Sequence, residues 1–249
     1  MPRTFTYSAL VLRIRPTGES NREAFFLTAE AGILAATLYG GPKSRLRSHV
    51  SPFHRGTLWL YHDPVRDSRK VTDFDVRSWR PGIREDFRRS MTAFALAETV
   101  LASHGGGGNW TEALALTDRA LDALEGADEG TCGRIGLHFL WNWAEILGIR
   151  PLLDRCASCA CEAGSDEVLY YSPGDGGLHC ASCGGLTAGP GLRPLGGGAR
   201  RWLKAVEALD PALLSRYTLD RESARQVKTL GRAILEGALE RPLRGWDAP

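Results

Sequence analysis

Four of the six cysteines in this 249-residue chain fall into two C-x-x-C pairs, and no other feature of the sequence constrains the fold as strongly. The first pair is Cys156 and Cys159, and the second pair, Cys180 and Cys183, follows after 20 intervening residues. A C-x-x-C turn lets two sulfurs converge on one ion, and structural zinc binds four thiolates tetrahedrally at about 2.3 Å. The spacing therefore predicts one structural zinc site (Zn2+) with these four cysteines as ligands, and reduced thiols without a metal are the alternative.

The residues around the two pairs indicate how such a site is built. Between the pairs, a β-rich stretch followed by a Gly-rich turn predicts a short hairpin over residues 167–177. Cys161 could replace Cys159 as a ligand, but the symmetric pairing favours Cys161 as a spectator. His179 could support the site from outside the ligand set, and Cys132 is expected to be a packing residue. A site closed by four protein ligands leaves no position for an activated water, which argues against a metallohydrolase.

The first 80 residues contain five short segments rich in β-forming residues, separated by polar or glycine-containing turns. These candidate strands are residues 7–14, 24–28, 33–39, 57–61 and 70–79. Five short strands fit a small Greek-key barrel such as an OB-fold. They fit an SH3-like barrel as well, and the pattern alone leaves both architectures open.

After the break at Pro81-Gly82 the sequence is predominantly helical. Residues 135–147 are apolar on several faces, which predicts a central buried helix. The glycine-rich residues 184–198 are predicted to be a linker. Two further segments have apolar stripes at helical spacing: Phe87, Met91, Phe94 and Leu101 in the first, and Trp110, Leu114, Thr117, Leu121 and Leu124 in the second.

These patterns together predict an α+β multidomain protein. An N-terminal five-stranded barrel domain is expected over residues 1–80. A helical domain is expected over residues 81–249, with the zinc knuckles inserted into it at about 152–190.

Positive charge is concentrated in the predicted barrel. Residues 1–80 hold 13 Lys and Arg against 7 Asp and Glu, whereas the rest of the chain holds 18 against 22. Such a distribution favours a polyanion such as a nucleic acid as partner, with cations on phosphates and aromatic rings on bases. The candidate stacking residues are Tyr39, Phe53, Trp59 and Tyr61, and because strand residues alternate between two faces, packing in the barrel core is the alternative for each of them. The candidate phosphate-binding residues are Lys43, Arg45 and Arg47 in one loop and Arg13, Arg15, Arg22 and Arg55 around it, and a solvated loop without a ligand is the alternative for the first three.

Several catalytic classes lack their sequence signatures. The chain has no P-loop, no H-E-x-x-H zinc-protease motif, no zinc-deaminase motif and no G-x-S-x-G nucleophile elbow. We therefore expect no catalytic residues. The sequence also lacks an apolar run long enough for a membrane span and a recognisable signal core, so we expect a cytoplasmic protein without a membrane partner.

The order of these features resembles the RecO family of recombination mediators. The turn at residues 17–21 is similar to the family's turn between its first two strands, and residues 40–47 are similar to its basic loop. Ser51-Pro52-Phe53 and the run from Phe139 to Cys156 are similar to further landmarks, so the resemblance covers nearly the whole chain. The resemblance implies an OB-fold for the barrel.

The resemblance also implies a function. A RecO protein binds single- and double-stranded DNA, anneals complementary strands and acts in DNA repair and recombination in the bacterial cytoplasm, at the nucleoid. With RecR, it helps RecA load onto DNA coated by single-strand-binding protein, whose acidic C-terminal tail it contacts. The alternative is a zinc-containing protein-interaction module that does not bind DNA.

Overall fold

The computed structural model describes residues 3–40, 44–186 and 191–247. The chain forms two compact units, Met1–Gly126 and Ala127–Pro249. Within the described ranges, no helix is both long and apolar enough to cross a membrane.

Five strands of the first unit close into a barrel in the order β1-β2-β3-β5-β4, and β1 also pairs with β4. The β3–β5 pairing is parallel, and the other four pairings are antiparallel. A five-stranded Greek-key barrel of this order is an OB-fold, so the prediction is confirmed and the SH3-like alternative is excluded. The strands are β1 Thr4–Thr17, β2 Asn21–Thr28, β3 Gly32–Leu38, β4 Arg55–Asp63 and β5 Ser68–Ser78.

Alternation along the strands separates the barrel interior from its outer face. Ala24 and Phe26 on β2 belong to the barrel core, whereas Phe25 between them points outward and is half-buried. On β1, Leu10 and Leu12 are buried on the face opposite the core residues, and the long helix α3 packs against this strand. Helix α4 (Trp110–Leu124) likewise contacts β2, where Leu27 is buried outside the barrel core, so helices cover part of the outer face on both β1 and β2.

The first unit also contains α1 Arg45–His49, α2 Pro81–Glu85, α3 Phe87–Ala102 and α4 Trp110–Leu124. The apolar stripe predicted for α4 is confirmed, because Leu114, Thr117, Leu121 and Leu124 are buried. The stripe predicted for α3 is wrong: Phe87 is 71% and Phe94 47% exposed. The helix instead buries a face made mainly of small residues: Ala93, Ala95, Leu96, Ala97, Thr99, Val100 and Ala102.

A buried arginine two residues after β5 connects the barrel to α4. Arg80 has a left-handed backbone (φ 46°), and its side chain donates to the Phe53 carbonyl at 2.8 Å and to Asp122 at 2.8 Å. It also pairs with Asp118. Helices α2–α4 lie in the same compact unit as the barrel. The domain boundary expected after residue 80 stays a prediction.

The second unit combines helices with a three-stranded sheet of order β7-β6-β8. Its central helix α5 buries residues on several faces, as predicted. The linker predicted at residues 184–198 is wrong, because β8 pairs with β6 and α7 begins at Gly197. The elements are α5 Glu129–Ile146, β6 Leu169–Ser172, β7 Gly177–His179, α6 Ala181–Leu186, β8 Arg193–Leu195, α7 Gly197–Val206, a 3-10 helix Pro211–Arg216, α8 Arg221–Leu239 and a 3-10 helix Arg244–Trp246.

Candidate metal centre and nucleic-acid interface

The two C-x-x-C pairs meet in the second unit. The sulfurs of Cys156, Cys159, Cys180 and Cys183 all lie within 4.8 Å of one another. Four sulfurs bound at about 2.3 Å to one tetrahedral ion would lie about 3.8 Å apart, and the Cys159 and Cys180 sulfurs are separated by 3.9 Å. The distances between the four sulfurs are therefore close to those that binding one metal ion requires. The predicted hairpin, formed by β6 and β7, joins the two turns.

Backbone N–H groups favour the ionised form of one thiol in this group. Burial raises the pKa of Cys156, but hydrogen bonds from the backbone of Cys159, Cys180 and Ser158 lower that pKa to about 5. The thiolate is the form of cysteine that binds metals. Both C-x-x-C turns thus contribute backbone donors to a thiolate that a metal would bind.

A buried histidine beside the second cysteine pair makes hydrogen bonds to the first cysteine turn and to the hairpin turn. His179 has no exposed surface. Its Nδ1 lies 2.9 Å from the Ser158 hydroxyl, in the first turn, and its Nε2 lies 3.0 Å from a carboxylate oxygen of Asp175, in the hairpin turn. The sequence suggested a supporting role for His179, but its two partners were missed because they are distant in sequence or of ordinary residue types.

Arg200 holds the segment that contains the first pair. The side chain lies on α7 and is 6% exposed. It donates to the carbonyls of Leu153 at 2.9 Å, Gly164 at 2.9 Å and Glu167 at 2.8 Å. These acceptors lie before and after the cysteine turn, so one guanidinium fixes both ends of the segment. Nothing in the sequence marked this residue, because an arginine on a helix is usually solvated.

The two remaining cysteines differ in position. Cys161 is exposed, and its sulfur lies 3.2 Å from that of Cys159, although it is outside the group of four. Cys132 is buried at the start of α5, in keeping with the packing role predicted for it.

On the barrel, two predicted phosphate-binding residues share an aromatic ring. The guanidinium carbon of Arg13 lies 4.7 Å, and that of Arg15 5.0 Å, from the ring centre of Phe25. Arg15 also pairs with Glu23 on β2. Contacts of this kind between a cation and a ring hold the planar guanidinium groups in place at the surface. Phe25 was not among the predicted residues, although its outward position follows from strand alternation.

Among the residues that the structure describes, the remaining predicted cations have different surroundings. Arg22 is exposed on β2, and Lys43 lies outside the described residues. Arg45 and Arg47 lie on α1, where Arg45 contacts His49 and Arg47 donates to the carbonyl of Ser20. In a helix two residues differ in direction by about 200°, so these side chains do not point the same way as they would in an extended loop.

Arg55 is held by groups of its own unit. It donates to the Ser8 hydroxyl at 2.7 Å and to the Ala9 carbonyl at 3.2 Å, and it lies 3.4 Å from Asp118. Its side chain is 17% exposed. This position fits a structural link between the barrel and α4 better than an open contact with phosphate.

The predicted stacking residues are also divided between surface and core. Tyr39 is 51% exposed, and the Lys70 ammonium lies 5.4 Å from its ring centre. Tyr61 is half-buried, and its hydroxyl accepts a hydrogen bond from Arg3 at 3.4 Å. Trp59 is half-buried on the same strand, whereas Phe53 is buried, with its ring centre 4.9 Å from that of Phe94.

Strand register connects the exposed members of these groups. Across the outer face, Arg15 lies beside Glu23, Glu23 beside Thr37, Thr37 beside Lys70, and Lys70 beside Tyr61. Neighbouring strands are about 4.8 Å apart, so this register places Arg15, Lys70 and Tyr61 on one outer face, with Glu23 and Thr37 between Arg15 and Lys70. The basic–aromatic band, as we call this surface, consists of Arg13, Arg15, Phe25, Tyr39, Tyr61 and Lys70.

Comparison with known proteins relates both units to one family. Residues 1–78 match the family model described as Recombination protein O N terminal, and residues 84–247 match Recombination protein O C terminal. A DNA repair protein RecO of Desulfitobacterium hafniense is 28% identical over 242 residues, which cover 96% of this chain and 86% of that protein. The DNA repair protein RecO of Pelotomaculum thermopropionicum is 27% identical over 98% of this chain and 93% of its own length. That of Rubrobacter xylanophilus is 31% identical over 70% of this chain and 69% of its own length.

Proposed function

Because this chain belongs to the RecO family of DNA repair proteins, we propose that it binds single-stranded DNA on the basic–aromatic band and promotes the annealing of complementary strands. The observation that carries the proposal is the Arg13–Phe25–Arg15 cluster on the outer face of an OB-fold barrel. Cations of such a cluster neutralise phosphates, and aromatic rings stack on bases of any identity. Neutralised strands repel each other less, which favours their pairing.

Membership of the RecO family supports a wider proposed role. The protein acts with RecR to help RecA load onto DNA coated by single-strand-binding protein, contacts the acidic C-terminal tail of that protein, and binds double-stranded DNA through the same sequence-independent charges. It works at the bacterial nucleoid and performs no covalent chemistry. Remodelling of a protein–DNA filament by competition for phosphates and partners requires none.

We also propose that the four cysteines hold a structural zinc ion. Thiolates select soft or borderline metals, and four of them in a tetrahedral group are typical of zinc. A bound ion supplies a cross-link between the two C-x-x-C turns. The protein contributes the hydrogen bonds of His179 and Arg200, which order the turns and the segment around them.

A salt titration of DNA binding separates the contributions of charge and stacking. Replacing Arg13 and Arg15 together by Ala should flatten the log–log salt slope on single strands by about 1.4, because each phosphate that is no longer neutralised lowers the slope by about 0.7. The Phe25→Leu variant should lose about 1–3 kcal/mol of binding for one stacked base and keep its slope. Annealing should decrease in both variants.

Arg77→Ala is the matched control, because Arg77 is an exposed arginine on β5. It lies seven residues beyond Lys70 on the same strand, about 23 Å away. Equal loss of binding in the control and in the Arg13/Arg15 variant would contradict the assignment of the band. Salt-independent or absent binding by the unaltered protein would instead support the protein-interaction alternative.

A further inference from the structure

The four thiols of the proposed zinc site are not equally accessible. Cys156 is 1% and Cys180 7% exposed, and Cys183 is partly exposed. Cys159 is the exposed member of the four. A small reagent arriving from solvent therefore reaches the sulfur of Cys159 first.

The turn that contains Cys159 also brings a fifth thiol next to it. The Ala160 N–H donates to the Cys156 carbonyl at 2.9 Å, and the Cys156 N–H donates to the Cys161 carbonyl at 2.9 Å. Ala160 has a left-handed backbone (φ 56°), so the chain reverses direction between the two exposed cysteines. Their sulfurs lie 3.2 Å apart, and a disulfide of about 2.05 Å requires a further approach of about 1 Å.

We propose that Cys159 and Cys161 form a hydroperoxide-sensitive modification site that opens the metal centre when it is oxidised. The opening of the metal centre rests on the proposed zinc site, whereas the formation of the disulfide rests only on the two exposed cysteines. Cys161 is a fifth thiol outside the group of four.

The reaction needs only the two thiols and a hydroperoxide. The Cys159 thiolate attacks the terminal oxygen of the hydroperoxide, the O–O bond breaks, and a sulfenic acid and an alkoxide form, the alkoxide being hydroxide when the oxidant is hydrogen peroxide. The Cys161 sulfur then attacks the sulfenic sulfur, the S–O bond breaks, and a disulfide and water form once the Cys161 proton is transferred to the leaving oxygen. The two sulfurs lose two electrons in total, and the peroxide gains them.

Oxidation removes one of the four proposed zinc ligands. A metal held by three thiolates has an open position and binds less tightly than in the closed site. The predicted result is loss of zinc together with formation of the Cys159–Cys161 disulfide. A reductant should reverse both changes, because a disulfide is reducible whereas higher sulfur oxidation states are not.

The test uses the full-length chain, with zinc content measured first and hydrogen peroxide as the probe. Peptide mass spectrometry locates the disulfide, and a colorimetric chelator follows the released zinc. In the unaltered protein the 159–161 disulfide and the released zinc should appear with the same time course. The Cys161→Ser variant should lose the disulfide and accumulate a sulfenic acid at Cys159 that dimedone traps.

Cys132→Ser is the control, because Cys132 is buried at the start of α5 and outside the group of four. This variant should behave like the unaltered protein.

Two results would overturn the inference. One is a principal disulfide between any other pair of cysteines. The other is zinc release from Cys161→Ser at the unaltered rate without sulfenic acid at Cys159. If the purified chain carries no zinc, the metal proposal fails separately. Peroxide treatment of that metal-free chain still decides whether Cys159 and Cys161 are the reacting pair.

Discussion

Replacement of Arg200 by Met should detach the first cysteine turn from α7. Methionine keeps much of the length and apolar volume of arginine but donates no hydrogen bond. Three of the bonds that disappear, to Leu153, Gly164 and Glu167, measure 2.8–2.9 Å, which is near the ideal length. At about 1–1.5 kcal/mol for each short bond, the loss amounts to about 3–5 kcal/mol, because the carbonyls left behind stay partly buried.

The effect should be local, and hydrogen exchange measures it locally. In zinc-loaded protein, amide protection between residues 153 and 167 should fall by about a hundredfold or more, since 1.4 kcal/mol corresponds to a factor of ten. Zinc affinity should fall as well, because a segment that is less ordered before binding must be ordered by it. Arg200→Lys should resemble Arg200→Met more than the unaltered protein, because one ammonium cannot reach three separated carbonyls.

The neighbouring Arg201 offers the matched control. Its side chain is 57% exposed and pairs with Asp166. Exposed ion pairs contribute about 0.2–1 kcal/mol, so Arg201→Met should change exchange in the same segment only a few-fold. Similar protection in the two variants would show that the buried guanidinium does not hold the cysteine segment, and the reasoning from its hydrogen bonds would be refuted.

The other predictions concern the metal ligands and the response to acid. Elemental analysis should find zinc lost from the Cys159→Ser variant and kept in Cys161→Ser, and the reverse pattern would exchange the roles of these two cysteines. Burial of His54, together with the charges of Arg84 and Arg80, lowers its pKa, so the unfolded chain binds a proton at a higher pH than the folded chain does. The stability contributed by neutral His54 should therefore be present above about pH 6.5 and be lost as the pH falls below it. Thermal unfolding at about pH 7.5 and 5.5 should show a smaller difference for His54→Gln than for the unaltered protein, and an equal difference would assign the acid response to other groups.

The barrel was predictable because its signal is local. Strand alternation places Phe26 inside and Phe25 outside, and turns of polar residues and glycine separate the strands. The sequence did not distinguish an OB-fold from an SH3-like barrel, because the distinction depends on the parallel pairing of β3 with β5, and these strands are distant in sequence. The four-cysteine group was predictable for the same reason as the strands, because spacing within each C-x-x-C pair fixes the turn.

Helix faces were harder to predict than helices. The apolar residues of α3 lie on two faces, and the sequence favoured the aromatic one with Phe87 and Phe94. Close packing selected the face with Ala93 and Ala97 instead, because small side chains let the helix approach its neighbours. The five-residue helix α1 is too short for a periodic signal, so an extended loop was predicted there.

Buried arginines could not be recognised from the sequence. Arg200 donates to carbonyls at least 33 residues away in the chain, and Arg80 pairs with Asp118, 38 residues away. Backbone carbonyls carry no sequence signal, and an arginine with such partners looks like any solvated one. Arg55 was assigned to phosphate for this reason, although its guanidinium lies against Asp118.

The strand pairings give the barrel an uneven resistance to force. Among the described residues, β3 and β5 are paired at one position, Thr37 with Lys70, whereas β1 and β2 are paired at eight. A pull that separates β3 from β5 therefore breaks far fewer backbone bonds than one that separates any other two neighbours. The pairing of β3 with β5 is therefore the mechanically weakest strand pair of the barrel, and it lies within the basic–aromatic band, at Lys70. DNA under tension that is bound across β3 and β5 would apply force to the strand pair that separates most easily.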